Sequence, residues 1–277
     1  NGNVYNVAVG ANAGFAMTTG TQNIIVGSLA GDALTDADQN VAIGHIALTS
    51  DTLGNKSTAV GFNTLADQNF TTATDTLNTA VGYNAGGAIT TGIQNTIIGA
   101  LAGDGLTDAD TNVAIGVSAL GGDTLGSSSV AIGSSALRLQ NFTTATEVYN
   151  IGIGRGAGEN VTIGTENTLI GGLAGDALTV GVRNVAVGKG ALTTDVGGSK
   201  SVAIGHSALE RQNMATTATD SNNVGVGYNA GTANTSGTDN VFVGFASGDA
   251  NTDGNTNTVV GSEAFSSNER GDRNTAI

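Results

Sequence analysis

The sequence has no cysteine, no proline and no tryptophan; aromatic residues make up 4% of it and charged residues 12%. Without cysteine there are no disulfides and no thiolate metal sites. Forty-four glycines without proline and without a Gly-X-Y period exclude collagen. Basic residues are few, with Lys and Arg totalling 9 against 23 Asp and Glu, a net charge of −14. No basic stripe exists to neutralise phosphates, so nucleic acid is not an expected partner. The acidity reads as a solubility device. No apolar run approaches the roughly 20 residues that cross a bilayer, so membrane insertion by this segment is not expected. Disorder is disfavoured too, because 39% of the residues are hydrophobic. Those residues are mostly small aliphatics, which suit a narrow core.

What is present is a repeat. Segments related to Asn40-Val41-Ala42-Ile43-Gly44 end at Gly10, Gly27, Gly44, Gly61, Gly82, Gly99, Gly116, Gly133, Gly154, Gly171, Gly188, Gly205, Gly227, Gly244 and Gly261. The spacing is 17 residues, lengthened to 21 or 22 at every fourth coil. A fixed period in this range marks a solenoid. The larger unit is a block of 72 or 73 residues made of four coils, over 11–82, 83–154, 155–227 and, in part, 228–277. The spacing predicts one continuous all-β domain over 1–277, a parallel β-solenoid or β-roll of about 16 coils. The phase of the repeat at residues 1 and 277 is that expected of a segment of a longer array.

Within each coil the residue before the glycine is Val or Ile, and the residue two earlier is Val, Ile or Thr. A mostly small residue such as Ala42 or Ala114 lies between. This period-2 pattern predicts a short strand with Val/Ile on one face and Ala on the other. The small Ala face suggests a surface on which neighbouring chains approach closely, as in a homotrimer. Four residues before the glycine stands an Asn column, including Asn23, Asn40, Asn95, Asn112, Asn167, Asn184 and Asn240, which predicts a side-chain amide ladder. Ser57, Ser129 and Ser201 replace Asn in the third coil of each complete block. Four residues after the glycine the block alternates Gly14, Gly31, Leu48, Leu65, then Gly86, Gly103, Leu120, Leu137.

Specificity is expected where the repeat departs from itself. The long coils carry Gln68 to Thr74, Gln140 to Thr146 and Gln212 to Thr219. Insertions in solenoids map to loops on one face, often a binding face. Asn69, Phe70 and Thr71, with Asn141, Phe142 and Thr143 and with Asn213 and Met214, are therefore candidates for a protruding contact surface, or for a plug over the solenoid edge. A second departure is an acidic corner. Asp32, Asp36 and Asp38, repeated as Asp104, Asp108 and Asp110, form a candidate oxygen-rich Ca²⁺ site, weighed against a solvated acidic turn. The third block retains only Asp176, with Val180 and Val182 at the other two positions.

Other chemistry is weakly signalled. His45 and His206 lie in different blocks and read as isolated corner residues, with no nucleophile at a convincing spacing. The run Gly152 to Gly158 has the composition of a phosphate loop but lacks the Lys-Ser/Thr that completes one. An ice-binding face is disfavoured because Thr pairs such as Thr18-Thr19 and Thr90-Thr91 occur once per block. No catalytic constellation is found, and an enzyme is not expected.

The pattern Asn/Ser-Val-Ala-Ile-Gly-x-x-Ala, seen at Ser129 to Ala136 and Ser201 to Ala208, resembles the head repeats of YadA-type trimeric autotransporter adhesins. Asn78 to Gly86 is similar to repeats in the shafts of phage tail fibres. The resemblance implies a left-handed parallel β-roll, a homotrimer, and an extracellular place on a bacterial surface or virion tail. Its implied role is attachment, with a host-surface glycan or protein as partner. A purely structural, self-assembling filament is the alternative.

Overall fold

The computed structural model describes residues 4–214 and 217–277. The chain is an all-β parallel β-solenoid, with no helix among the described residues. It divides into two compact units, Asn1–Ser134 with Asn141–Glu147, and Ser135–Gln140 with Val148–Ile277. In the first unit the core strands are Val7–Val9, Ile24–Val26, Val41–Ile43, Thr58–Val60, Thr79–Val81, Thr96–Ile98, Val113–Ile115 and Val130–Ile132. Each pairs in parallel and in register with the next, so equivalent residues stack directly. The second unit repeats this with Ile151–Ile153, Thr168–Ile170, Val185–Val187, Val202–Ile204, Val224–Val226, Val241–Val243, Thr258–Val260 and Thr275–Ala276. Among the described residues, two-residue side strands form only where an insertion follows: Gly54–Asn55 pairs with Thr74–Asp75, Gly126–Ser127 with Thr146–Glu147, and Gly198–Ser199 with Thr219–Asp220.

The glycine after each strand has a steric cause. Gly44 has φ +141°, and a Cβ there would lie 2.0 Å from the carbonyl oxygen of Gly61 in the next coil. No other residue tolerates both the dihedral and the approach.

The strand faces are the reverse of the expectation drawn from small-residue packing. Ala42, Ala59, Ala114 and Ala131 point inward and are fully buried, while Val and Ile on either side point outward and stay partly exposed, Ile43 at 37%. The reason is cross-section: in a coil this narrow the strand centre and the corner side chains share one small interior, and where Leu48 or Leu65 fills the corner only a methyl fits at the strand centre. The Ala face is therefore core and presents no surface to another chain.

The block of four coils is a volume pattern. The central strand residue is largest once per block, at Ile25, Ile97, Leu169 and Phe242, and all four are fully buried. Around each large residue the corner position is Gly. A Cβ on Gly231 or Gly248 would come within 2.5 or 2.1 Å of the Phe242 ring. Where the strand centre is Ala, the same corner is Leu, as at Leu48, Leu65, Leu120 and Leu137, each fully buried. Those leucines adopt the left-handed conformation, Leu48 at φ 53°. Strain of that kind costs on the order of 1 kcal/mol, and burial of a leucine contributes more.

The Asn column staples coil to coil. Asn40 Oδ1 accepts the Ser57 backbone N–H at 2.8 Å while its Nδ2 donates to the Gly54 carbonyl at 2.8 Å. Asn23, Asn95, Asn112, Asn167, Asn184 and Asn240 make the same pair of bonds. The main bonds thus run from side chain to backbone, and amide-to-amide contacts such as Asn95 Nδ2 to Asn78 Oδ1, 3.3 Å, are longer.

Candidate functional site

The inserted segments are anchored by a carboxylate that is itself core. Asp51 is fully buried. Its Oδ1 accepts the backbone N–H groups of Gly54 and Phe70, each at 3.0 Å. Gln68 Nε2 donates to Asp51 Oδ2 at 2.6 Å and to Ser57 Oγ at 2.9 Å, and Gln68 Oε1 accepts from Asn78 Nδ2 at 2.9 Å. Gln68 therefore occupies the space an Asn at 57 would need, and relays the Asn column past the insertion. That explains Ser57. In the second unit Gln212 does the same between Asp195, Ser201 and Asn223. Burial pushes the Asp51 carboxyl above its ordinary value, opposed by bonds from Phe70, Gln68, Gly54 and Thr52.

This anchoring decides where the candidate contact residues lie. Phe70 and Phe142 are 8% exposed and Met214 6%, so these three are plugs seated on the coil. Asn69, Thr71, Asn141, Thr143 and Asn213 remain exposed. Thr52 Oγ1 donates to the Phe70 carbonyl at 2.7 Å, and Thr124 does the same to Phe142. Ala215 and Thr216 of the third insertion lie outside the described residues.

The carboxylates of the acidic corner, the candidate calcium ligands, are hydrogen-bonded to neighbouring coils. Asp32 Oδ1 accepts from Thr49 at 2.5 Å, Asp36 Oδ1 from Thr19 at 2.5 Å, and Asp38 Oδ1 from both the N–H and hydroxyl of Thr21. Asp108 accepts from Thr91 and Asp110 from the Ile93 N–H. Asp104 is partly buried and is raised by desolvation, opposed by hydrogen bonds that include one from Asn84. Asp36, Asp38, Asp108 and Asp110 all bond to the preceding coil, and Asp32 to the following one. Among the described residues no three His, Cys, Asp or Glu side chains converge on a point that would hold a metal. The threonines stack as well: Thr18 Oγ1 donates to the Thr35 carbonyl and Thr35 Oγ1 to the Thr52 carbonyl, which commits their hydroxyl protons internally.

Two surface features escaped the sequence reading. The residue directly after the corner glycine forms an aromatic ladder wherever three successive coils supply rings. In the first unit His45 stacks on Phe62 at a centroid distance of 5.5 Å, and Phe62 on Tyr83 at 5.4 Å, with planes 11° and 8° apart. In the second, His206 stacks on Tyr228 at 5.3 Å and Tyr228 on Phe245 at 5.6 Å. The histidines are thus the end rungs of ladders. The signal lay in the coil register: these residues share one position at 17-, 21- or 22-residue spacing. All six rings are exposed. The second feature is the outward strand face, two columns of Val, Ile and Thr that carry no charge.

No protein-family model matches this chain, and no curated protein matches it. Exposed rings and aliphatic columns, held by a hydrogen-bonded scaffold, can bind apolar faces of other molecules.

Proposed function

We propose that the chain is a non-enzymatic repeat domain of an attachment protein, an adhesin on a bacterial surface or a fibre on a virion tail. The observation that carries this reading is the exposed apolar surface: two stacked aromatic ladders beside uncharged aliphatic columns. Contiguous apolar surface left in water marks interaction sites. The YadA-like and tail-fibre readings rest on the Ser-Val-Ala-Ile-Gly-x-x-Ala and Asn-Thr-Ala-Val-Gly-Tyr-Asn-Ala-Gly motifs. Self-association as a homotrimer fits the Val/Ile face, since the Ala face is core. The partner on the target is a surface glycan or protein.

A structural filament without a target is the second reading, favoured by the length of the uncharged strand face. Binding of the purified chain to whole bacterial or host cells, with a glycan array in parallel, tests the choice. Saturable retention supports attachment; a folded, self-associated chain that binds no cell type removes it and leaves the filament.

A further inference from the structure

The His206–Tyr228–Phe245 ladder ends at a cleft. Each ring comes from the next coil at a separation close to the strand spacing, so ring faces point along the stacking direction. One face of His206 is covered by Tyr228. Its other face looks toward the coil of Lys189, where no ring follows. There the surface opens into a cavity of about 200 Å³ bordered by His206, Lys189, Gly190, Ser207, Glu210 and Leu173. Gly190 keeps it open: at φ +67° it carries no Cβ, and one built there would meet only Ser207 Oγ, at 3.7 Å. Two coils before His206, Gly172 has nothing within 4 Å of where a Cβ would be.

The polar groups of the cleft are uncommitted in a useful pattern. Lys189 makes no ion pair among the described residues. Glu210 holds only a long 3.4 Å bond, from Thr232 to Oε2. Thr193, by contrast, is spent on the Leu173 carbonyl and Asp176. The cleft therefore offers one flat apolar face, one carboxylate acceptor, one ammonium donor and one hydroxyl. A pyranose needs this set: its C–H face lies on a ring, and its vicinal hydroxyls donate to a carboxylate and accept from a cation.

We propose that this cleft binds one neutral pyranose unit of a glycan, lying on the open face of His206 as the next rung of the ladder, with its hydroxyls shared among Glu210, Ser207 and Lys189. The assignment deepens the attachment reading and rests on it only for its biological role. Glu210 beside Lys189 favours a neutral sugar over a carboxylated one, because the cleft carries both signs.

The test uses the full chain with methyl glycosides of neutral hexoses and N-acetylhexosamines, and a methyl sialoside for comparison. Saturation-transfer NMR and calorimetry are expected to give saturable binding in roughly the millimolar range for a single neutral unit. Lys189→Tyr would supply the missing ring from the protein itself, stacked on His206 as Tyr228 is. That variant should fold normally and lose at least about tenfold in affinity, and Glu210→Gln should lose about tenfold. Absence of saturable binding to any neutral glycoside, unchanged binding by Lys189→Tyr, or a preference for the sialoside would each overturn the proposal. Cell adhesion read separately distinguishes the two readings. Cells bound without glycosides bound remove the cleft alone; glycosides bound without cells bound remove attachment and leave the cleft.

Discussion

Gln68 and Asp51 stack one coil apart in the interior, with the Gln68 amide nitrogen 2.6 Å from the carboxylate, and neither side chain reaches solvent. The pair caps the coil on which the inserted segment rests, since Asp51 also holds the N–H groups of Gly54 and Phe70.

Asp51→Ala should leave those two N–H groups without an acceptor and leave the Gln68 amide nitrogen only Ser57 Oγ. A loss of about 3–5 kcal/mol is expected in chemical denaturation, with faster amide exchange at Gly54 and Phe70. Unchanged exchange at both amides would count against the anchoring role.

The same carboxyl sets a pH dependence. Its folded pKa is raised from 3.8, chiefly by burial, so the folded chain holds the proton more tightly than the unfolded one. The stability this contributes is fully present below 3.8 and is lost as pH rises through the folded value. Parallel denaturations of wild type and Asp51→Asn should show wild type losing ground as pH rises across that window. A difference that moves the other way would refute the assignment.

Gly44→Ala should be among the most damaging single substitutions, because the added methyl would meet the Gly61 carbonyl at 2.0 Å in a backbone at φ +141°. A cost of about 3 kcal/mol or more is expected, measured by the shift in denaturation midpoint. Gly172→Ala, where nothing lies within 4 Å, is the control and should change little.

Ser247 stands where other coils carry a buried Ala such as Ala30, Ala47 or Ala208, and its Oγ is buried without a hydrogen-bond partner. Ser247→Ala should stabilise the chain by about 1 kcal/mol. A destabilisation of similar size would reveal a partner for the hydroxyl.

The outward columns make a prediction about assembly. Ile43→Lys and Ile98→Lys alter side chains that are 37% and 39% exposed, so each should cost the single chain within about 0.5 kcal/mol. If chains associate through this face, the variants should lower the mass measured by light scattering. An unchanged oligomer would place the interface elsewhere.

Periodicity alone determined the coil length, the strand before each glycine and the block of four. These follow from local rules: alternation sets a strand, and an in-register repeat stacks like on like. The Asn column was equally legible as a ladder, because identical residues at constant spacing must meet. Which face of the strand is interior was not legible. Val-Ala-Ile reads the same from either side, and only the narrow cross-section, closed by Leu48 or Leu65 from the corner, decided that Ala42 goes in and Ile43 stays out. The partners of the acidic corner were not legible either, because they stand one coil away: Asp36 accepts from Thr19 and Asp38 from Thr21. The rings of His45, Phe62 and Tyr83 lie 17 or more residues apart and look unrelated along the chain. The tertiary stack brings them face to face, and so turns scattered corner residues into a surface.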